Sequence, residues 1–321
     1  MREALYHPTF GYYTAQIADV GREGDFSTSA TLDQGLGMAI AAWLLERSRE
    51  SGWRRIPVIE VGAGSGHLAL TILKHLGWMG WLRTSYTIVE ASPILKRRQQ
   101  DLLRGRGVVW VDSMELALRR SRGRALIFSN ELVDAFPCRL FEKGERGWSE
   151  VGVQLSADNS ILEVLIPLGA GDPWFDQFET CAPSHRVERH DSYNGWLQSW
   201  RPEWREGSIL TIDYGDQQMA QSRLPVQGTL RAYWKHQRFT GREIYARFGK
   251  QDITADVNFS DLIRWGEELG WRSESLATQR EFLETRLTPS EIRRTSDRFR
   301  TPSDAGDAFM VLEQSTGPKI S

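Results

Sequence analysis

Cysteine is nearly absent from this chain: Cys138 and Cys181 are the two found in 321 residues. That is too few for a disulfide framework, and the expectation is reduced thiols in a cytoplasmic protein. Long apolar runs are missing too. The longest, AIAAWLL at 39–45, falls far short of the roughly 20 residues that cross a bilayer. The N-terminal MREALYHP lacks the apolar core of a secretory signal, and a transit-peptide pattern is absent. A bacterial setting, or a leader already trimmed, is expected, with no membrane insertion. Neither charge sign is in excess: 40 basic and 42 acidic residues give a formal net charge of −2, which argues against nucleic acid as partner. H-x-x-x-H, C-x-x-C and facial-triad spacings do not occur, so no bound metal is expected. Low-complexity runs and internal repeats are also missing.

What the chain does have is VIEVGAGSG at 58–66, an apolar strand running into a turn with Gly62, Gly64 and Gly66 and a carboxylate, Glu60, just before them. Alternating glycines let the backbone turn tightly and bring its N–H groups against a ligand. The next residues place Leu68, Ile72, Leu73 and Leu76 at helical spacing, and His67 opens that helix. A dinucleotide fold would read G-x-G-x-x-G; here the third glycine comes one residue early. The E-x-G-x-G-x-G pattern instead resembles the first motif of class I S-adenosylmethionine methyltransferases, in which the turn faces a methionine moiety and a nearby carboxylate suits its amino group.

Later strands agree. YTIVE at 86–90 ends in Glu90, at the distance where a doubly wound fold sets an acid on a ribose diol. Ser92 and Pro93 then cap a helix. VVWVDS at 108–113 ends in Asp112, which either accepts from an adenine amine or caps the helix MELALRR. ALIFSN at 125–130 leads into NELVDAFP, where Asn130, Glu131 and Asp134 converge at a C-terminal strand end. Glu131 and Asp134 share a face if the segment turns helically. The alternative is a capped turn stopped by Pro137.

Ordered blocks over most of the chain resemble the MidA family of methyltransferases, which includes a mitochondrial complex I assembly factor described as a protein arginine methyltransferase. The blocks are LYHPTFGYYT at 5–14, GREGDFSTS at 21–29, VIEVGAGSG, VEASPILKRRQ at 89–99, NELVDAFP, LTIDYG at 210–215, TLRAYWKHQ at 229–237 and DITADVNF at 252–259. The resemblance implies S-adenosylmethionine as cofactor, carried by Gly62, Gly64 and Glu90. It implies that the GDFSTS segment with Phe26 and Thr28 folds over that cofactor, and that Asn130 and Glu131 line the active centre. It also places His236 near the site and makes a respiratory-complex subunit a candidate partner. One departure concerns the substrate entrance, where the family's proline and glutamate are replaced by Ala30 and Thr31.

Alternating strands and helices predict an α/β fold, a doubly wound, seven-stranded-type class I methyltransferase sheet closed by SILTIDYG at 208–215 and AFMVLEQ at 308–314. Residues 1–137 are expected to hold the N-terminal segment and the cofactor-binding half. Residues 138–205 are expected to form an inserted cap, opening with a hairpin around Lys143–Gly147 and rich in tryptophan at 174, 196, 200 and 204. Residues 206–321 complete the sheet. Basic clusters at 96–98, at 119–124, and at Arg293, Arg294, Arg298 and Arg300 read first as solvated helix faces, and Asp252 and Asp256 as turn and capping chemistry.

The expected reaction is methyl transfer to an arginine of a partner protein. Glu131 and Asp134 would hold the planar guanidinium fork, and His236 or Asp213 would take the proton afterwards. A small-molecule N- or O-methyltransferase and a non-catalytic assembly scaffold are the alternatives.

Overall fold

Apolar runs bounded by glycine turns become the strands of one central sheet in the computed structural model, which describes residues 1–17, 34–158, 160–169, 171–217, 225–295 and 305–318. Strand β1 (Ile56–Val61) pairs in parallel with β2 (Thr84–Val89), and β2 with β3 (Val109–Val111). On the other side of β1 lies β4 (Leu126–Asn130), then β9 (Gly207–Asp216), both parallel. Antiparallel β15 (Phe309–Thr316) and β14 (Arg272–Thr278) finish the edge, giving the order β14-β15-β9-β4-β1-β2-β3. The order reverses between β1 and β4, so a crevice opens beyond their C-terminal ends.

The central strands are buried on both faces, which is why they read as continuous apolar runs. Ile56 and Val58 of β1, Leu126 and Phe128 of β4, and Leu210 and Ile212 of β9 pack on one face. That face is covered by α2 (Gly35–Glu50) and α3 (His67–His75). Ile59, Val61, Ile127 and Ile209 point the other way, against α6 (Met114–Arg120), α7 (Asp191–Trp200) and α8 (Phe259–Glu268). Helix α5 (Pro93–Leu102) follows β2 and is capped by Ser92, as its sequence predicts.

Two smaller sheets are inserted. Between β4 and β9 stand β5 (Arg139–Gly144), β6 (Gly147–Leu155), β7 (Ile161–Pro167) and β8 (Arg186–Arg189), ordered β7-β6-β5-β8. After β9 come β10 (Arg231–Trp234), β11 (Gln237–Thr240) and β12 (Asp252–Thr254), ordered β11-β10-β12, with β13 (Val257–Asn258) alongside the end of β9. The tryptophans of 138–205 divide between these layers. Trp174 packs with Phe141, Phe178 and Val187 in the four-stranded insert, whereas Trp200 and Trp204 are fully buried with Trp271 against the central sheet. Those two serve the main core, because α7 is one of its covering helices and delivers its apolar stripe there.

The N-terminal helix α1 (Arg2–Tyr6) and the turn Tyr12–Gln16 pack on the three-stranded sheet through Leu5, Tyr12, Ile17, Leu95, Ala232, Ile244 and Ile253. Phe26, Thr28, Ala30, Thr31, Arg298 and Arg300 lie outside the described residues.

Candidate active site

Glycine conformation shapes the turn after β1. Gly62 has φ +67 and Gly64 φ +52, in the left-handed region that side chains resist. A Cβ on Gly62 would lie 2.8 Å from Leu132 Cδ1, so the close approach of the turn after β4 also requires glycine. Gly66, at φ +83, is the N-cap of α3; it shapes the helix start and is not part of the cavity wall described below. Glu60 is buried and accepts a 2.8 Å hydrogen bond from Tyr86 Oη. Burial pushes its carboxyl up to about 8.

Glu90 ends β2 and is also buried. Its Oε1 accepts from the Ser92 N–H at 2.9 Å and its Oε2 from Gln99 Nε2 at 2.8 Å. Burial raises this carboxyl, and those hydrogen bonds hold it back. Gln99 was not singled out from the sequence. Fully buried on α5, it also donates from Nε2 to Gly64 O at 2.9 Å and accepts from Trp110 Nε1 at 3.0 Å. One amide therefore ties the glycine turn, Glu90 and the β3 region together. The signal was its spacing: Gln99 lies four residues after buried Leu95, on the inward stripe of α5. Asp112 is largely exposed and pairs with Lys96 Nζ at 2.7 Å; the cap of α6 is its neighbour Ser113.

The segment after β4 does not turn helically. Glu131 stands at φ +51, and the backbone N–H groups of Leu132, Val133 and Asp134 all donate to Asp213 Oδ2 of β9, at 3.1, 2.8 and 3.3 Å. Asp213 Oδ1 accepts from Tyr214 N at 2.9 Å. Fully buried and so engaged, Asp213 clamps the turn and is not poised to take a proton from a substrate. Asn130 Nδ2 donates to Glu131 Oε1 at 3.1 Å. Asp134 is buried with no side-chain hydrogen bond or ion pair among the described residues. Burial, then the charges of Asp213, Asp252 and Glu131, push it well above the usual carboxylate range.

These groups meet around one cavity of about 1020 Å³. Glu60, Gly62, Gly64, Glu90 and Asp112 line one part of it, and Asn130, Glu131, Asp134 and His236 also face it. His236 is exposed at the tip of the β10–β11 hairpin, where Lys235 and His236 both have positive φ. Asp252 was read as turn or capping chemistry and is instead a buried part of the cavity wall, accepting from Tyr13 Oη at 2.7 Å. With Glu115, seven carboxylates among the described residues line the space, against the side chains of Arg2 and His236. Such a wall suits cationic ligands.

A glycine turn at the switch point, an acid ending β2 and a reversed strand next to the far edge define a class I S-adenosylmethionine-dependent methyltransferase. Over residues 39–277 the chain matches the family described as "Putative S-adenosyl-L-methionine-dependent methyltransferase", and it belongs to that family, in agreement with the MidA resemblance. It is similar to the protein arginine methyltransferase NDUFAF7, mitochondrial, of Danio rerio, 27% identical over 291 residues that make up 82% of this chain and 66% of the relative. The Mus musculus protein of the same name is 27% identical over 298 residues, 83% of this chain and 65% of the relative. The chain thus spans about two thirds of the length of the curated relatives it matches. A crystal structure from Burkholderia thailandensis bound to S-adenosyl-homocysteine superimposes with a TM-score of 0.82 at 26% identity, covering 98% of this chain and 86% of the other. The cytoplasmic expectation is overturned, since these relatives are named as mitochondrial; the low cysteine count describes chemistry that more than one compartment shares.

S-adenosylmethionine fits the residues present. Glu90 retains acceptor capacity for a diol, since an ionised carboxylate takes about four hydrogen bonds. Glu60 supplies a buried hydrogen-bonding carboxyl beside the glycine turn, and Val61, Leu68, Val89 and Met114 provide apolar lining.

Proposed function

We propose that this chain methylates a guanidinium nitrogen of an arginine on a partner protein; a respiratory-complex subunit is the partner class the family resemblance supports. The observation that carries this reading is buried Asp134, whose side chain has no partner among the described residues, beside Glu131 in an acidic cavity. A buried carboxylate without a partner is costly, and a cationic acceptor removes that cost.

In this reading Gly62, Gly64, Glu60, Glu90 and Asp112 hold the cofactor. Bound S-adenosylmethionine supplies an activated methyl group: its C–S bond breaks with the electron pair going to sulfur, an N–C bond forms, and one proton leaves the nitrogen. Glu131 and Asp134 orient the planar fork and stabilise its positive charge, because guanidinium keeps its proton at neutral pH. Asn130 fixes Glu131, and His236 at the rim accepts the released proton.

The test is incubation of the purified protein with methyl-labelled S-adenosylmethionine and lysate of its host, followed by mass spectrometry. Label on arginine is expected. Label on lysine, glutamine or a metabolite overturns the acceptor assignment, and an unlabelled lysate with no heat of cofactor binding favours the scaffold.

A further inference from the structure

Resting on the arginine reading, we infer that Asp252 is a second acceptor-binding carboxylate, lining the same cavity as Asp134, and that Tyr13 is the positioning residue that presents it. A guanidinium is a flat cation with donors on more than one edge. One carboxylate satisfies one edge. A second, arriving from a different element, fixes the plane and rejects neutral isosteres.

The two acids are brought together by backbone and ring contacts that span the chain. Ala255 N, three residues beyond Asp252, donates to Asp134 O at 3.2 Å. Tyr6 Oη donates to Ala135 O at 2.9 Å, Tyr13 stacks on Tyr6 with ring centroids 5.6 Å apart, and Tyr13 Oη donates to Asp252 Oδ1 at 2.7 Å. Tyr6, Tyr13, Asp134 and Asp252 all line the cavity. Arg231, the cation whose charge reaches Asp134, is already engaged. It pairs with Asp256, donates to Thr229 O and Tyr233 Oη, and lies over the Tyr214 ring. A cationic ligand placed beside two carboxyl groups that line one space is favoured over a neutral one of the same shape.

The experiment measures binding of N-acetylarginine amide and N-acetylcitrulline amide to the full chain saturated with S-adenosylhomocysteine. The intact protein is expected to prefer the arginine probe by about tenfold or more, and Asp252→Asn to reduce that preference to about threefold or less. Tyr13→Phe should fall between them, and it decides the matter if Asp252→Asn fails to fold. S-adenosylhomocysteine affinity should stay within about twofold in each variant. An unchanged preference in the variants overturns the role of Asp252, as does a loss confined to cofactor affinity. Absence of preference in the intact protein instead sinks the arginine reading on which this inference rests.

Discussion

Glu131 holds a backbone conformation that costs a non-glycine residue about 1–3 kcal/mol, at the strand end where its carboxylate meets the cavity. Strain kept at such a point ties the residue to chemistry, so Glu131→Gln is expected to lower kcat by about 100-fold while the cofactor Kd moves less than about twofold. Steady-state kinetics beside calorimetry would decide, and equal turnover in the two forms would remove Glu131 from the mechanism. Gln99 acts on the other ligand. Replacing it with leucine deletes donors to Glu90 and Gly64 together, and cofactor affinity should weaken by about 10- to 30-fold; an unchanged Kd would make Gln99 a packing residue only. Neither Gln99 nor Asp252 stands out in the sequence. Gln99 sits in the polar run KRRQQD, and the Tyr13 that holds Asp252 is 239 positions away. Glu60, by contrast, was legible, and it makes a pH prediction. Its folded pKa of about 8 lies above the ordinary 4.5. Its contribution to stability is therefore complete below about 4.5 and lost as pH rises toward 8. In ligand-free protein, Glu60→Gln should reduce the fall in unfolding free energy between pH 5 and pH 8.5 by about 4 kcal/mol. Denaturant titration at the two pH values measures it, and parallel losses in both proteins would refute it.

At the scale of elements, the turn after β4 is a property of β9. Asp213 gathers three N–H groups of that turn on one oxygen, so Glu131 and Asp134 are placed by a neighbouring strand rather than by a helix of their own. The sequence pointed to a helical face for Glu131 and Asp134 because three-residue spacing is a local signal, whereas the clamp comes from some 80 residues downstream. Asp213→Ala leaves those donors without an acceptor inside the core, and a loss of about 3 kcal/mol is expected, with activity falling further than stability alone explains. A thermal melt together with kinetics well below the melting point separates the two effects. A variant with intact Tm and intact kcat would show that the turn holds itself. The same locality explains which strands were readable. Strands β1, β2, β4, β9 and β15 are buried on both faces and spell apolar runs, while β14, RSESLAT, is an edge strand, mostly exposed or half-buried, with little pattern to read.

For the molecule as a whole, the cavity is assembled from the N-terminal segment, the C-terminal ends of the parallel strands and the late β10–β12 sheet, segments that span residues 2 to 254. That is why the glycine-turn side of the cavity was legible and the side lined by Tyr6, Tyr13 and Asp252 was not. The glycine turn and the acid ending β2 lie within one short stretch of chain, but Tyr6, Tyr13 and Asp252 meet only after the whole chain has folded. A ligand that bridges such distant segments binds the native state and has nothing comparable to hold in the unfolded chain. S-adenosylhomocysteine at 100 times its Kd should therefore stabilise the protein by about 2.7 kcal/mol, a rise in Tm of roughly 4 °C for a chain of this size. The Gln99→Leu variant, tested at the same absolute concentration, should show about half that shift or less, because its occupancy has fallen. Asp252→Asn should keep the full shift, since the acid it removes belongs to the acceptor end. If both variants lost the shift equally, the division of the cavity into a cofactor end and an acceptor end would have to be abandoned, and the acidic wall would be one undivided site.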